Sequence, residues 1–107
     1  MLKDILIYKK KLIQVLNTNT FDKVPKLVRD IKKTKATKNR IFICGNGGSA
    51  ANAIHIANDL TYGAGISSGK GFSIEALPSN TSVITCLAND IGYEKIFSEQ
   101  LRVKGIK

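Results

Sequence analysis

The chain has 107 residues, 43% of them hydrophobic, and carries 17 Lys and Arg against 8 Asp and Glu, a formal net charge of +9. That length bounds it to one domain or part of one, and no run approaches the roughly 18 apolar residues that a membrane span needs. The amino terminus, MLKDILIYKKK, puts an acidic residue before its apolar stretch and lysines after it, the reverse of a secretory signal, so a cytoplasmic protein with no membrane partner is expected.

Leu2, Ile5, Leu6, Ile13 and Leu16 fall at helical spacing, interrupted by the lysines at 9–11, and predict a first helix. NTNT (17–20) reads as a turn that offers N-cap candidates. Phe21, Val24, Leu27, Val28 and Ile31 repeat at three and four, so a second helix is expected to run to about Lys33, with Pro25 near its first turn, where a missing N–H matters least. KTKATKNR (33–40) reads as a polar linker that closes a helical arm over residues 1–38. The charge is concentrated here: residues 1–40 hold 12 Lys and Arg and 3 acidic residues, whereas 41–107 hold five of each. Only Arg29 and Arg40 among those 12 are arginines, and the only aromatics nearby are Tyr8 and Phe21. Lys-rich solvated helix faces account for that pattern better than a nucleic-acid footprint, so no nucleic-acid partner is expected.

IFIC (41–44) is a short β-rich run ending at glycine and predicts a buried strand. Residues 46–49 open a helix that 50–60 complete, and TYGAGISSGKG (61–71), with four glycines in eleven residues, reads as a loop. FSIEAL (72–77) predicts a second strand, followed by a capped short helix, a break at NDIG (89–92) and a helix from about Tyr93 to Arg102. A helix between two short apolar strands is a βαβ unit with parallel strands, which makes residues 39–107 an α/β portion. Two strands are too few for an open parallel sheet. The chain is therefore expected to be the front part of a larger domain, silent as a catalyst alone and either poorly soluble or oligomeric. Cys44 and Cys86 adjoin apolar runs without C-x-x-C spacing and are expected to be buried free thiols.

The chemistry concentrates in CGNGGSAANAIHIANDL (44–60). A strand running into GNGGS and then a helix places backbone N–H groups and a positive helix end at the strand's carboxyl edge, where open α/β sheets bind ligands. Glycines let the backbone approach an anion or a sugar closely, and Asn46 and Ser49 add polar side chains. The pattern is neither G-x-G-x-x-G nor a Walker loop, and by itself it divides evenly between a ligand loop and a tight turn. His55, the chain's single histidine, and Asp59 are four apart and share a helix face. That spacing suits two metal ligands or an acid/base pair, but on spacing alone the blander reading, a half-buried His bonded to a helix-surface Asp, is favoured.

The stretch 44–60 resembles the signature of the sugar isomerase (SIS) domain, and specifically of phosphoheptose isomerases. The resemblance continues through EALPSNTSVITCLANDIGYEKIFSEQL (75–101) and takes in the leading helical pair. It implies a flavodoxin- or Rossmann-like parallel sheet flanked by helices, assembled as a homotetramer, of which this chain matches about the first half. It implies ketose–aldose isomerisation of a sugar phosphate, sedoheptulose 7-phosphate to a glycero-manno-heptose 7-phosphate, for cell-surface polysaccharide. On the same ground, Asn46, Gly47, Gly48 and Ser49 line the substrate together with Asn89 and Asp90. His55 matches a zinc ligand, and Asp59 stands where the family usually has a Glu that serves as metal ligand and catalytic base. Asp is one methylene shorter, so its carboxylate must be brought closer by the backbone. The family's Arg shortly after this helix has no match in TYGAG (61–65). A rival reading within the same fold is non-catalytic: a sugar-phosphate sensor, or an adaptor that binds the replication initiator.

Overall fold

The computed structural model describes residues 1–66 and 68–105. The chain divides into two units, Met1–Lys32 and Lys33–Lys107.

In the first unit, helix α1 spans Leu2–Leu16, a 3-10 turn covers Asn19–Lys23, and helix α2 begins at Val24 and continues to Ala36. The lysines at 9–11 interrupt the apolar stripe of α1 but not the helix, because Lys is a good helix former. Asp4 lies in the first turn, where a carboxylate meets the positive helix end, and pairs with the terminal ammonium at 2.9 Å. On α2, Lys26 and Asp30 form an i,i+4 pair at 2.6 Å. Thr18 stands at the cap position of the 3-10 turn without capping it, and its hydroxyl donates back to the Val15 carbonyl at 2.7 Å. The cap candidates Asn19 and Thr20 have side chains outside the described set. Neither helix has a buried residue, and Leu2, Tyr8 and Leu27 are among the most exposed of their apolar side chains.

The second unit opens on the last turn of α2. The expected linker over 33–40 is helical as far as Ala36. The helix then stops on a pair of reverse bonds, Lys38 N–H to the Lys35 carbonyl and Asn39 N–H to the Thr34 carbonyl, each 3.1 Å. This is the Schellman closure, and its left-handed position is held by Lys38 at φ 58°. Glycine is usual there; an L-residue costs about 1–2 kcal/mol in that region.

Strand β1, Ile41–Ile43, pairs in parallel with strand β2, Ile74–Ala76, in the register Ile41↔Ile74, Phe42↔Glu75, Ile43↔Ala76. Between them run helix α3, Gly48–Asn58, a π-helical turn, Asp59–Gly63, and a short helical turn α4, Ala64–Ile66. The βαβ unit and the parallel pairing thus stand as expected. The segment 61–71 is not a loop over its first six residues. Its glycines serve close backbone packing: a Cβ on Gly71 would lie 1.7 Å from the Thr61 carbonyl oxygen, and one on Gly65 would lie 2.9 Å from the Gly71 nitrogen. Phe72 N–H donates to the Leu60 carbonyl at 2.9 Å and closes the fold-back. Ser67 lies outside the described residues.

After β2 come a 3-10 turn, Leu77–Ser79, helix α5, Thr81–Asp90, a second 3-10 turn, Tyr93–Lys95, and helix α6, Ser98–Lys104. Asn80 caps α5, its Oδ1 accepting the Val83 N–H at 3.1 Å. The break after α5 falls at Gly92, φ 104°. The single helix expected from Tyr93 is thus a 3-10 turn followed by a shorter α-helix.

The core is small: Ala53, Ala57, Ala76, Leu77 and Ile96. Ala53 and Ala57 are one turn apart on α3, and their small side chains let that helix close on β2 and the turn after it. Gln100 is the buried polar residue of this core, and its amide donates to the carbonyls of Leu77 at 3.2 Å and Ile96 at 2.9 Å. Burial without those partners would cost about 1–3 kcal/mol. Mid-strand Glu75 accepts from Lys104 and faces Arg40 at 3.9 Å. The strand residues 41–43 are half-buried, and both cysteines are exposed, contrary to the expectation of buried thiols. Cys44 follows β1, and among the described residues each strand of this pair has an unpaired edge; Cys86 lies on α5, on the face that carries Asp90.

Candidate functional site

β1 delivers the chain to residues 44–49 at the carboxyl end of the parallel pair. Gly45 makes the turn possible, since a Cβ there would meet the Ser49 carbonyl oxygen at 2.5 Å. Gly47, φ 54° and ψ −124°, is the N-cap of α3 and takes a conformation that L-residues avoid. A Cβ on Gly47 or on Gly48 would meet nothing within 4 Å. The two glycines therefore hold open the space just ahead of a helix amino terminus, and Asn46, Gly48 and Ser49 are exposed there. This is the geometry of a loop that can take a polar or anionic ligand against backbone.

Asn46 is joined to the second motif block. Tyr93 Oη donates to Asn46 Oδ1 at 3.0 Å, across 47 residues of sequence. With Oδ1 engaged, the amide NH2 remains to donate elsewhere. Gly45 falls within the GNGGS stretch singled out in the sequence, whereas Tyr93 is assigned no role there. Tyr93 lies inside the LANDIGY run, but a tyrosine after a turn glycine carries no signal of a distant partner.

Two turns along α3, His55 Nε2 and Asp59 Oδ2 stand 3.3 Å apart, both well exposed. Asp59 is the first residue of the π turn. Such turns are rare and occur often at functional positions. Two donors at about 2.0–2.1 Å from a tetrahedral zinc sit roughly 3.3 Å apart, so the pair fits two corners of such an ion. Catalytic zinc takes three protein donors, and among the described residues no group of three or more His, Cys, Asp or Glu could hold a metal.

Asn89 and Asp90 end α5 as a bonded pair, Asn89 Nδ2 to Asp90 Oδ1 at 2.9 Å, and Cys86 Sγ contacts Asp90 Oδ2 at 3.3 Å. The Asn89 amide, and then the Cys86 thiol, hold the Asp90 carboxyl below its ordinary range; the Asp90 carboxylate in turn raises the Cys86 thiol, first by its hydrogen bond and then by its charge. This favours the protonated, less nucleophilic form of Cys86. Asp90→Asn is expected to speed iodoacetamide labelling of Cys86 at pH 8 by a few-fold, to about the rate of an ordinary thiol. An unchanged rate would show that Asp90 does not control the thiol. Among the described residues no hydrogen bond joins Asn89 or Asp90 to Asn46, Ser49, His55 or Asp59; the Tyr93–Asn46 hydrogen bond joins the two blocks, beside the packing of α3 on β2.

The SIS domain family model matches residues 8–105. The chain belongs to the SIS domain family. Its relatives include phosphoheptose isomerases. It is 44% identical to one from Helicobacter pylori strain HPAG1 over 75 residues, 70% of this chain and 38% of the relative. One from Helicobacter pylori strain P12 is 37% identical over 98% of this chain and 54% of its own length. One from Aliarcobacter butzleri strain RM4018 is 33% identical over 99% of this chain and 55% of its own length. In three dimensions this SIS chain is similar to the phosphoheptose isomerase of Neisseria gonorrhoeae, with a TM-score of 0.78 at 26% identity, over 97% of this chain and 53% of that one. The chain thus spans about half the length of several of the relatives it matches, and the match runs through both the 44–60 and the 75–101 blocks.

Proposed function

We propose that the natural protein carrying this chain is a ketose–aldose isomerase acting on a sugar phosphate, with sedoheptulose 7-phosphate as substrate and glycero-manno-heptose 7-phosphate as product, in surface polysaccharide synthesis. The observation that carries this reading is the juxtaposition in one βαβ unit of the open glycine turn with the His55–Asp59 pair two turns further on, in a chain whose relatives are phosphoheptose isomerases. The loop binds and orients the sugar phosphate: the open backbone at Gly47 and Gly48 lets it approach the positive amino end of α3, and the Asn46 amide donates to its oxygens. Asn89 and Asp90 contact the same substrate. Asp59 is the base. It takes the proton from the carbon next to the ketose carbonyl, an enediol forms, and the proton returns to the former carbonyl carbon as the hydroxyl proton moves to the oxygen there. His55 and Asp59 would hold a zinc ion with donors from outside the described residues, and the ion would polarise the substrate carbonyl.

The same resemblance supports a homotetramer in the cytoplasm. The exposed apolar residues of α1, Leu2, Ile5 and Leu6 among them, favour an oligomer, and among the described residues no helix is long and apolar enough to cross a membrane.

The test is conversion of sedoheptulose 7-phosphate by the natural protein, with Gly48→Ala as the probe of the loop. Gly47 is less informative, because a side chain there strains the backbone as well. At Gly48 an added methyl meets no protein atom and stands where the ligand must come. Affinity measured by calorimetry is expected to fall about tenfold with an unchanged melting temperature. Undiminished affinity would reduce the loop to a turn, and tight binding without turnover would favour the sensor reading.

A further inference from the structure

A second polar concavity lies at the opposite edge of the strand pair. Residues 38 and 39 lead into the amino end of β1, and residues 70–73 lead into the amino end of β2, whereas the glycine turn follows the carboxyl end of β1. Together they form an open groove of about 600 Å³ lined by Lys35, Lys38, Asn39, Lys70, Gly71 and Ser73, with Ala36. Three ammonium groups line it and no carboxylate does. Among the described residues neither Lys38 nor Lys70 makes an ion pair; the carboxylate nearest in the fold's second strand, Glu75, is taken by Lys104 and Arg40.

Two features indicate that these lysines are more than scattered surface charge. Lys35 is half-buried, with its Nζ 4.5 Å from the centre of the Phe72 ring, a cation–π contact that fixes the side chain at the groove wall. Lys38 occupies the left-handed position of the Schellman closure, where glycine is relaxed and lysine is not. It is the single non-glycine residue at positive φ among those described. Backbone strain of this kind collects at ligand clamps. Its charge suits the negative carboxyl end of α2, and an anion in the groove would use the same charge.

We propose that this groove binds the polyphosphate group of a small molecule. Three cations without a counter-ion match the charge of a di- or triphosphate better than that of one phosphate. The volume exceeds a single phosphate, and Asn39 and Ser73 offer additional hydrogen-bonding groups. The site takes a different ligand group from the glycine turn and does not depend on isomerisation.

The test uses the natural protein carrying this chain, with inorganic tripolyphosphate, orthophosphate and ATP as probes in calorimetry at two salt concentrations. Tripolyphosphate is expected to bind one per chain, at least about tenfold more tightly than orthophosphate, and to weaken as salt rises. ATP of equal affinity assigns recognition to the phosphates alone, and tighter ATP adds a nucleoside contact; both support the site. Lys38→Gly and Lys70→Gln are each expected to lower affinity about tenfold, the worth of one charge-assisted hydrogen bond. Lys38→Gly should do so with a melting temperature equal to or a few degrees above the parent's, since it relaxes the backbone. That combination, weaker binding in a chain no less stable, is one that a purely structural lysine does not produce. Absence of tripolyphosphate binding, binding that ignores both substitutions, or an RNA oligomer that binds more tightly than tripolyphosphate through the same lysines would overturn the proposal.

Discussion

Gly71→Ala is expected to be the most damaging single methyl in the second unit. The added carbon would lie 1.7 Å from the Thr61 carbonyl oxygen and 2.6 Å from its carbon. Both are backbone atoms, so no side chain can swing away. Relief requires moving the π turn away from residue 71, which breaks the Phe72 to Leu60 hydrogen bond and pulls β2 from its place. Overpacking against backbone costs about 3 kcal/mol, a large share of the roughly 5–15 kcal/mol that holds a domain together. The melting temperature should fall by roughly 10–20 °C. Gly63→Ala is the control: nothing lies within 4 Å of its Cβ position and its φ is not positive, so its melting temperature should stay within a few degrees of the parent's. Thermal unfolding followed by circular dichroism separates the two. A Gly71→Ala chain that melts with the parent would show that residues 59–72 do not fold back as described.

Asp59→Asn is expected to have the largest effect on activity. Asn keeps the size of Asp and its place at the start of the π turn, but it cannot accept a proton from carbon. Removing a positioned general base lowers turnover by about 10²- to 10⁴-fold, and the loss should appear in kcat more than in KM, because the glycine turn still holds the sugar phosphate. Asp59→Glu should act in the other direction, raising zinc affinity or turnover, since the extra methylene restores the reach usual in the family. A well-folded Glu variant slower than the parent would mean that the site has been rebuilt around the shorter side chain, consistent with its 3.3 Å approach to His55.

The parts of this fold that announce themselves in the sequence are those with a strong period or a strong cap. IFIC and FSIEAL, with a helix between, specify the parallel pair, and Asn80 marks the start of α5. Helix ends are legible where a polar turn or a glycine marks them, as NTNT does after α1 and Gly92 after α5. At the end of α2 the left-handed position is occupied by Lys38, so the stop lacks its usual mark and the last turn reads as linker. Over 61–71 the opposite happens. Glycines that look like loop are there to let backbone pack on backbone, at Gly65 against Gly71 and at Gly71 against Thr61. Apolar neighbours in sequence do not say whether the end of a strand, at Cys44, or a given face of a helix, at Cys86, is covered. Within the site, the His55–Asp59 pair follows from i,i+4 spacing alone, whereas the bond from Tyr93 to Asn46 depends on the tertiary path and has no local signature.

The measurement that tests the central claim most directly is turnover of sedoheptulose 7-phosphate in D2O by the natural protein, parent and Asp59→Asn side by side. The account predicts an aldose 7-phosphate carrying deuterium at the carbon that had been the carbonyl, formed by the parent and lost by at least about a hundredfold in Asp59→Asn. No conversion by the parent, or conversion that proceeds equally in Asp59→Asn, would contradict it.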